Sequence, residues 1–200
     1  MNFIRTSSFV KSSSAYTECP EPQLPEYAFI GRSNVGKSSL INYIVNKKKL
    51  AKVSVKPGKT KLINHFLIDR AWYLVDLPGY GWAKVSKAEK LKWKLMVDQY
   101  LKKRKNLYCV FLLIDARHEP QAIDREFMRW LGERKIPFAI VFTKIDKLGM
   151  IKLQKNLDHY REVLGEEWDE LPIQFQTSSV SKIGKNEILG YIKQINEKLF

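Results

Sequence analysis

The stretch Gly31-Arg32-Ser33-Asn34-Val35-Gly36-Lys37-Ser38 constrains what this chain can fold into more than any other. Its spacing is GxxxxGKS, and its flanks suit it. Tyr27-Ala28-Phe29-Ile30 is a short apolar run that reads as a buried strand. Ser39-Leu40-Ile41-Asn42-Tyr43-Ile44 reads as the opening turns of a helix. A strand, this loop and a helix in sequence make a phosphate-binding P-loop. The glycines let the backbone curl so that successive N–H groups face inward, and the helix N-terminus adds partial positive charge. Residues 31–39 are therefore expected to cradle phosphates. Lys37 is expected to reach the β- and γ-phosphates, and the Ser38 hydroxyl to ligate Mg²⁺.

The rest of the chain alternates short apolar runs with helical patterns. Strands are expected at 62–68, 72–75, 108–114, 138–142 and 173–176, and helices at 87–103, 122–133, 150–164 and 186–199. A further leading strand is expected around Phe3, Ile4, Phe9 and Val10. In the helix at 87–103, Leu91, Leu95, Met96 and Tyr100 are expected to form the buried side. Apolar strands alternating with helices imply an α/β fold, a doubly wound and mainly parallel sheet covered on both faces. The hairpin at 62–75 adds one antiparallel edge strand. Residues 1–25, ending in Pro20-Glu21-Pro22-Gln23-Leu24-Pro25, read as a stiff N-terminal extension, and 26–200 as a single nucleotide-binding domain.

In such a fold a ligand sits at the carboxyl ends of the strands. Four further elements fall there or in adjoining loops. Asp76-Leu77-Pro78-Gly79 ends a strand. Its carboxylate suits the Mg²⁺ shell, and the Gly79 N–H suits sensing of the γ-phosphate. Thr60, after Pro57-Gly58-Lys59, is placed to close over Mg²⁺ when the γ-phosphate is present. In Thr143-Lys144-Ile145-Asp146 the carboxylate can accept from the ring N–H and exocyclic amine of guanine, a donor pair that adenine lacks, while the Lys144 stem lies over the base. In Thr177-Ser178-Ser179 the Ser178 backbone N–H is expected to donate to the guanine O6. Lys37, Thr60 and Gly79 are the candidate catalytic groups, and Ser38, Thr60 and Asp76 the candidate metal ligands.

Charge separates the two halves of the chain. Residues 1–105 carry 21 Lys and Arg against 7 Asp and Glu, while residues 106–200 balance at 14 against 14. The excess of +14 lies in clusters at 47–61 and 84–105. Such asymmetry favours a polyanionic partner, nucleic acid before membrane. Trp82 and Trp93 are candidates for stacking on unpaired bases, though the helical spacing of Trp93 favours a core position. No run of about 18 apolar residues predicts a membrane span. No secretory signal is evident, and two distant cysteines, Cys19 and Cys109, suit the cytosol. The three histidines are scattered and read as ordinary residues.

The motifs Gly-Arg-Ser-Asn-Val-Gly-Lys-Ser at 31–38, Pro-Gly-Lys-Thr at 57–60, Asp-Leu-Pro-Gly-Tyr-Gly at 76–81 and Thr-Lys-Ile-Asp at 143–146 together resemble the EngB (YihA/YsxC) GTPases. These belong to the translation-factor-related class of bacterial GTPases. The likeness covers nearly the whole chain. It implies a Ras-like fold, Mg²⁺-dependent GTP and GDP binding, a role in assembling the large ribosomal subunit, and a link to cell division and septation. From the residues themselves, Tyr80 stands where a water-positioning glutamine follows the DxxG glycine in Ras-like proteins, so intrinsic hydrolysis is expected to be slow. Asn34 either places K⁺ beside the phosphates or only shapes the loop. The expected protein is cytoplasmic and monomeric, with no stable membrane anchoring. It meets the large subunit and its rRNA through the two lysine clusters. Three other readings share some of these features: an ATP-using P-loop enzyme, a passive RNA-binding module, and a GTPase acting on another RNA or a membrane surface.

Overall fold

A computed structural model describes residues 4–47, 50–51, 62–80 and 86–199. Within them seven strands form one sheet: β1 (Ser7–Ser13), β2 (Glu26–Gly31), β3 (Ile63–Ile68), β4 (Trp72–Asp76), β5 (Leu107–Asp115), β6 (Phe138–Thr143) and β7 (Gln174–Gln176). Five helices cover it: α1 (Lys37–Ile44), α2 (Lys87–Lys103), α3 (Ala122–Glu133), α4 (Met150–Gly165) and α5 (Lys185–Glu197). The strand order is β1-β3-β4-β2-β5-β6-β7. Pairing is parallel from β4 through β7, and β3 is antiparallel to both β4 and β1. The sheet is thus α/β, mainly parallel and antiparallel at one edge. The leading strand lies outside the hairpin and forms that edge. It begins at Ser7, later than Phe3 and Ile4; Phe3 lies outside the described residues, as do Thr60, Trp82 and Lys84.

The central strands are apolar throughout because both faces are covered. Alternation divides them between two cores. Tyr27, Phe29 and Phe111 point to the face packed by α1 and α5, with Ile41 and Ile188. Ala28, Ile30, Val110 and Leu112 point to the face packed by α2, α3 and α4, with Tyr100, Met128 and Tyr160. The Cys109 thiol is buried in the first of these cores, and burial pushes its pKa up to about 12.

Helix α2 is rotated from the expected orientation. Leu91 and Leu95 are 57% and 51% exposed, while Val97, Tyr100 and Leu101 are buried. At about 100° per residue, Leu91 and Tyr100 lie on opposite sides of a helix and cannot share a face. The real inner stripe is Trp93, Met96, Val97, Tyr100 and Leu101.

A buried polar cluster fixes that rotation. The Tyr100 hydroxyl donates to Glu26 Oε2 at 2.6 Å, and Arg104 donates to both carboxylate oxygens through Nε and Nη2. His65 Nε2 lies 3.2 Å from Oε1, and Arg104 also donates to the Pro20 carbonyl. Burial alone would raise the Glu26 pKa. Hydrogen bonds from His65, Arg104 and Tyr100 outweigh it and hold the carboxyl at about 2. The cluster joins the lead-in, β2, β3 and the end of α2. His65 serves there as a buried structural partner, and one expectation is corrected: Arg104 belongs to an internal ion pair with its side chain 7% exposed, not to the basic surface.

Candidate nucleotide site

The P-loop turns where its backbone leaves ordinary conformations. Asn34 has φ 64° and Gly36 has φ 102°. The second is a left-handed geometry that a side chain would strain, so glycine is required there. Gly36 precedes α1, and the first described intrahelical bond runs from the Leu40 N–H to the Gly36 carbonyl at 2.9 Å. The N–H groups of Lys37, Ser38 and Ser39 thus have no acceptor within the helix and point to the space an anion would fill.

The Asp76–Gly79 loop lies directly on the P-loop. A Cβ added to Gly79 would stand 2.8 Å from the Gly31 carbonyl oxygen, leaving no room for a side chain. The Leu77 N–H donates to the Phe29 carbonyl, the Tyr80 N–H to the Gly31 carbonyl at 3.1 Å, and the Ser33 N–H to the Tyr80 carbonyl at 3.2 Å. Lys37 and Asp76, 8% and 3% exposed, form a close ion pair. The candidate phosphate-binding ammonium and the candidate Mg²⁺-shell carboxylate therefore converge on one point. The Asp76 carboxylate and Ser38 hydroxyl are hard oxygen donors of the kind Mg²⁺ takes, so the donor set fits that ion. Tyr80 turns away from this point. Its ring is 4% exposed, stacks on Phe127 at 5.0 Å, and donates its hydroxyl to Asp124 at 2.7 Å. Burial raises the Asp124 pKa against the opposing effect of that hydrogen bond.

The candidate base loops close the other end. The buried Thr143 hydroxyl donates to the Val35 carbonyl at 2.6 Å, bracing the P-loop from behind. Lys144, itself at φ 59°, reaches back to the Asn34 carbonyl at 2.6 Å and to Asp115 Oδ2 at 2.9 Å. Ile145 and Asp146 begin a single tight turn, 145–147. Asp146 Oδ1 accepts the Ser178 hydroxyl at 2.7 Å. That hydrogen bond is the main cause holding the Asp146 carboxyl below its ordinary pKa, so it is charged at neutral pH. The Thr177 N–H and hydroxyl both donate to the Phe142 carbonyl, fixing the second loop to β6.

One expected role shifts by a residue. The Ser178 N–H already donates to the Ile183 carbonyl at 3.2 Å, because residues 178 and 183 pair across a small antiparallel bridge. Ser178 therefore acts through its hydroxyl on Asp146, and the next N–H, on half-buried Ser179, is the one left to face a base. Gly58, Lys59 and Thr60 lie outside the described residues. Asp115 was not singled out from sequence. It ends β5, is bound by Arg117 at 2.8 and 2.9 Å as well as by Lys144, and these contacts overcome burial to hold its pKa far below the usual range. A carboxylate closing the apolar run 107–114 was its available signal.

The arrangement defines a P-loop nucleotide-binding protein with a carboxylate at its base end. The family described as 50S ribosome-binding GTPase matches residues 26–144. The probable GTP-binding protein EngB of Christiangramia forsetii is 56% identical over 98% of this chain and 99% of its own length. That of Porphyromonas gingivalis is 54% identical over 98% of each. A crystal structure of a probable GTP-binding protein EngB superposes with TM-score 0.67 at 24% identity, covering 86% of this chain and 99% of that one. Era in complex with MgGDPNP and nucleotides 1506–1542 of 16S ribosomal RNA shares the fold at TM-score 0.65 and 23% identity, over 87% of this chain and 56% of that one. This chain is a P-loop GTPase. It belongs to the EngB family of GTP-binding proteins. Among the described residues, no helix is long and apolar enough to cross a membrane.

Proposed function

We propose that this protein is a slow, GTP-gated switch that binds the rRNA of the large ribosomal subunit in the cytoplasm and acts in its assembly, with a consequent link to cell division and septation. One observation carries the reading: the Trp93 indole N–H donates to the Pro78 carbonyl at 3.2 Å. It ties α2 to the loop whose Gly79 N–H would sense the γ-phosphate. On α2 and just beyond it, Lys92, Lys94, Lys102, Lys103 and Lys105 are exposed. A change at the γ-phosphate therefore has a short mechanical route to a basic surface. The ribosome-binding description of the matching family supports the choice of partner.

In hydrolysis Lys37 leaves Asp76 and neutralises the transferring phosphoryl group, while the α1 N-terminus and the Gly79 N–H hold its oxygens. Ser38 and Asp76, with Thr60, would hold Mg²⁺, which when bound supplies Lewis-acid charge on the phosphate oxygens. Asp146 selects guanine, with Ser179 as the O6 donor. Tyr80, buried with its hydroxyl on Asp124, positions no water, so turnover depends on a partner or on K⁺ at the exposed Asn34.

Single-turnover hydrolysis measured with and without large subunits, in K⁺ and in Na⁺, tests this reading. The expected result is stimulation by subunits, of about a thousandfold if they supply a cation to the transferring phosphoryl group, and faster turnover in K⁺. Equal rates with and without subunits would remove the partner role. Equal rates in the two salts would reduce Asn34 to shaping the loop.

A further inference from the structure

Between α2 and α3 a chain of aromatic rings runs outward from the Asp76–Gly79 loop. Trp93 lies 6.5 Å from Tyr80, Tyr80 is 5.0 Å from Phe127, and Phe127 is 5.9 Å from Trp130 with the two planes 7° from parallel. The last ring is half-buried and carries two cations from different helices. The Arg134 guanidinium sits 4.5 Å from its centroid and the Lys102 ammonium 5.6 Å. Nearby on α2, Lys103 lies over the half-buried Tyr16 ring at 5.0 Å.

We infer that Trp130, Arg134 and Lys102 form a seat for an unpaired RNA base and its phosphate. The inference rests on the RNA-binding reading above and names its point of contact. Unpaired bases stack on aromatic rings and on guanidinium planes, and cations beside the ring meet the backbone. Both cations are free to exchange partners. Lys102 pairs with Asp98 at 2.8 Å, and Arg134 with Glu133 and the Trp130 carbonyl, each at 3.2 Å, but these are surface contacts that bind weakly. Charge complementarity selects a polyanion, since the adjoining α2 surface is lysine-rich. The half-buried ring selects one with exposed base faces, which duplex RNA does not offer. The ring chain also makes the seat continuous with Tyr80, next to the γ-phosphate sensor.

The test is fluorescence anisotropy of a labelled oligouridylate of about 12 nucleotides, within the size range of single-strand sites, against an RNA duplex of equal length. Protein is held with a non-hydrolysable GTP analogue. Trp130→Ala is expected to weaken single-strand binding about tenfold with an unchanged salt slope, because stacking releases no counterions. Trp130→Phe should lose only about twofold, since a smaller ring still stacks. Lys102→Ala with Arg134→Ala should lower the salt slope by about 1.4, the value for two single-strand phosphate contacts. GTP hydrolysis without RNA should stay unchanged in each, confirming the fold. If Trp130→Ala fails to fold, the other two variants carry the test. Wild-type affinity in a folded Trp130→Ala, an equal loss on duplex, or an unchanged slope in the double variant would overturn the seat. Failure of the wild-type protein to bind any RNA would instead overturn the reading on which the seat rests.

Discussion

Asp146→Asn is expected to cut GTP and GDP affinity by roughly 30- to 1,000-fold and to make xanthine nucleotides the better ligands. A carboxylate accepts from both the guanine ring N–H and the exocyclic amine. Asparagine keeps one acceptor and turns an N–H₂ toward that amine, donor against donor. Losing one charge-assisted bond and leaving a donor unpaired costs about 2–4 kcal/mol. Xanthine carries a carbonyl where guanine has the amine, so the new N–H₂ finds an acceptor. The fold should survive, because the Ser178 hydroxyl donates to Oδ1, which asparagine retains. Displacement of a fluorescent GDP analogue by GDP and by xanthosine diphosphate measures the switch. Unchanged preference for GDP would remove Asp146 from the base site and leave guanine selection to the backbone.

Lys37→Ala is expected to abolish turnover, by at least about a thousandfold, as loss of a main charge on the transferring phosphoryl group implies. It has a second effect that a purely catalytic lysine would lack. Without nucleotide, Lys37 neutralises a carboxylate that is 3% exposed. Removing the ammonium strands that charge, at about 3–5 kcal/mol. Adding Asp76→Asn should return most of the stability and none of the activity. Urea unfolding of the nucleotide-free proteins, with single-turnover assays alongside, reads both quantities. Additive losses in the double variant would show that the two side chains do not interact.

The family likeness and the α/β sheet were legible in the sequence because motif order and strand periodicity are local properties. Lys37, Asp76 and Asp146 stood out by spacing; Lys37 and Asp76 meet beside the P-loop, and Asp146 lies in the loop after β6 at the other end of the site. What stayed hidden depends on distant partners. Glu26 between Pro25 and Tyr27 resembles an ordinary strand start, yet its ligands come from β3 and from the last turn of α2. That cluster sets the rotation of α2, so the inner stripe of that helix also differs from the one its spacing suggests. Thr143 carries no side-chain amide, and its bracing bond to Val35 appears only when β6 lies beside the P-loop. The exchange of roles between Ser178 and Ser179 follows from the bridge to Ile183, which no motif encodes. Trp130 is inconspicuous in the sequence, because helical spacing does not show that Lys102 from α2 and Arg134 from the end of α3 reach over its ring.

The central claim is that the γ-phosphate gates attachment to the large ribosomal subunit. Co-sedimentation with purified large subunits tests it most directly, with a non-hydrolysable GTP analogue, with GDP and without nucleotide, each at low and moderate salt. Retention with the GTP analogue alone, persisting at moderate salt, is the expected result. Binding that ignores the nucleotide and vanishes as salt rises would contradict it, reducing the lysine surface to non-specific attraction.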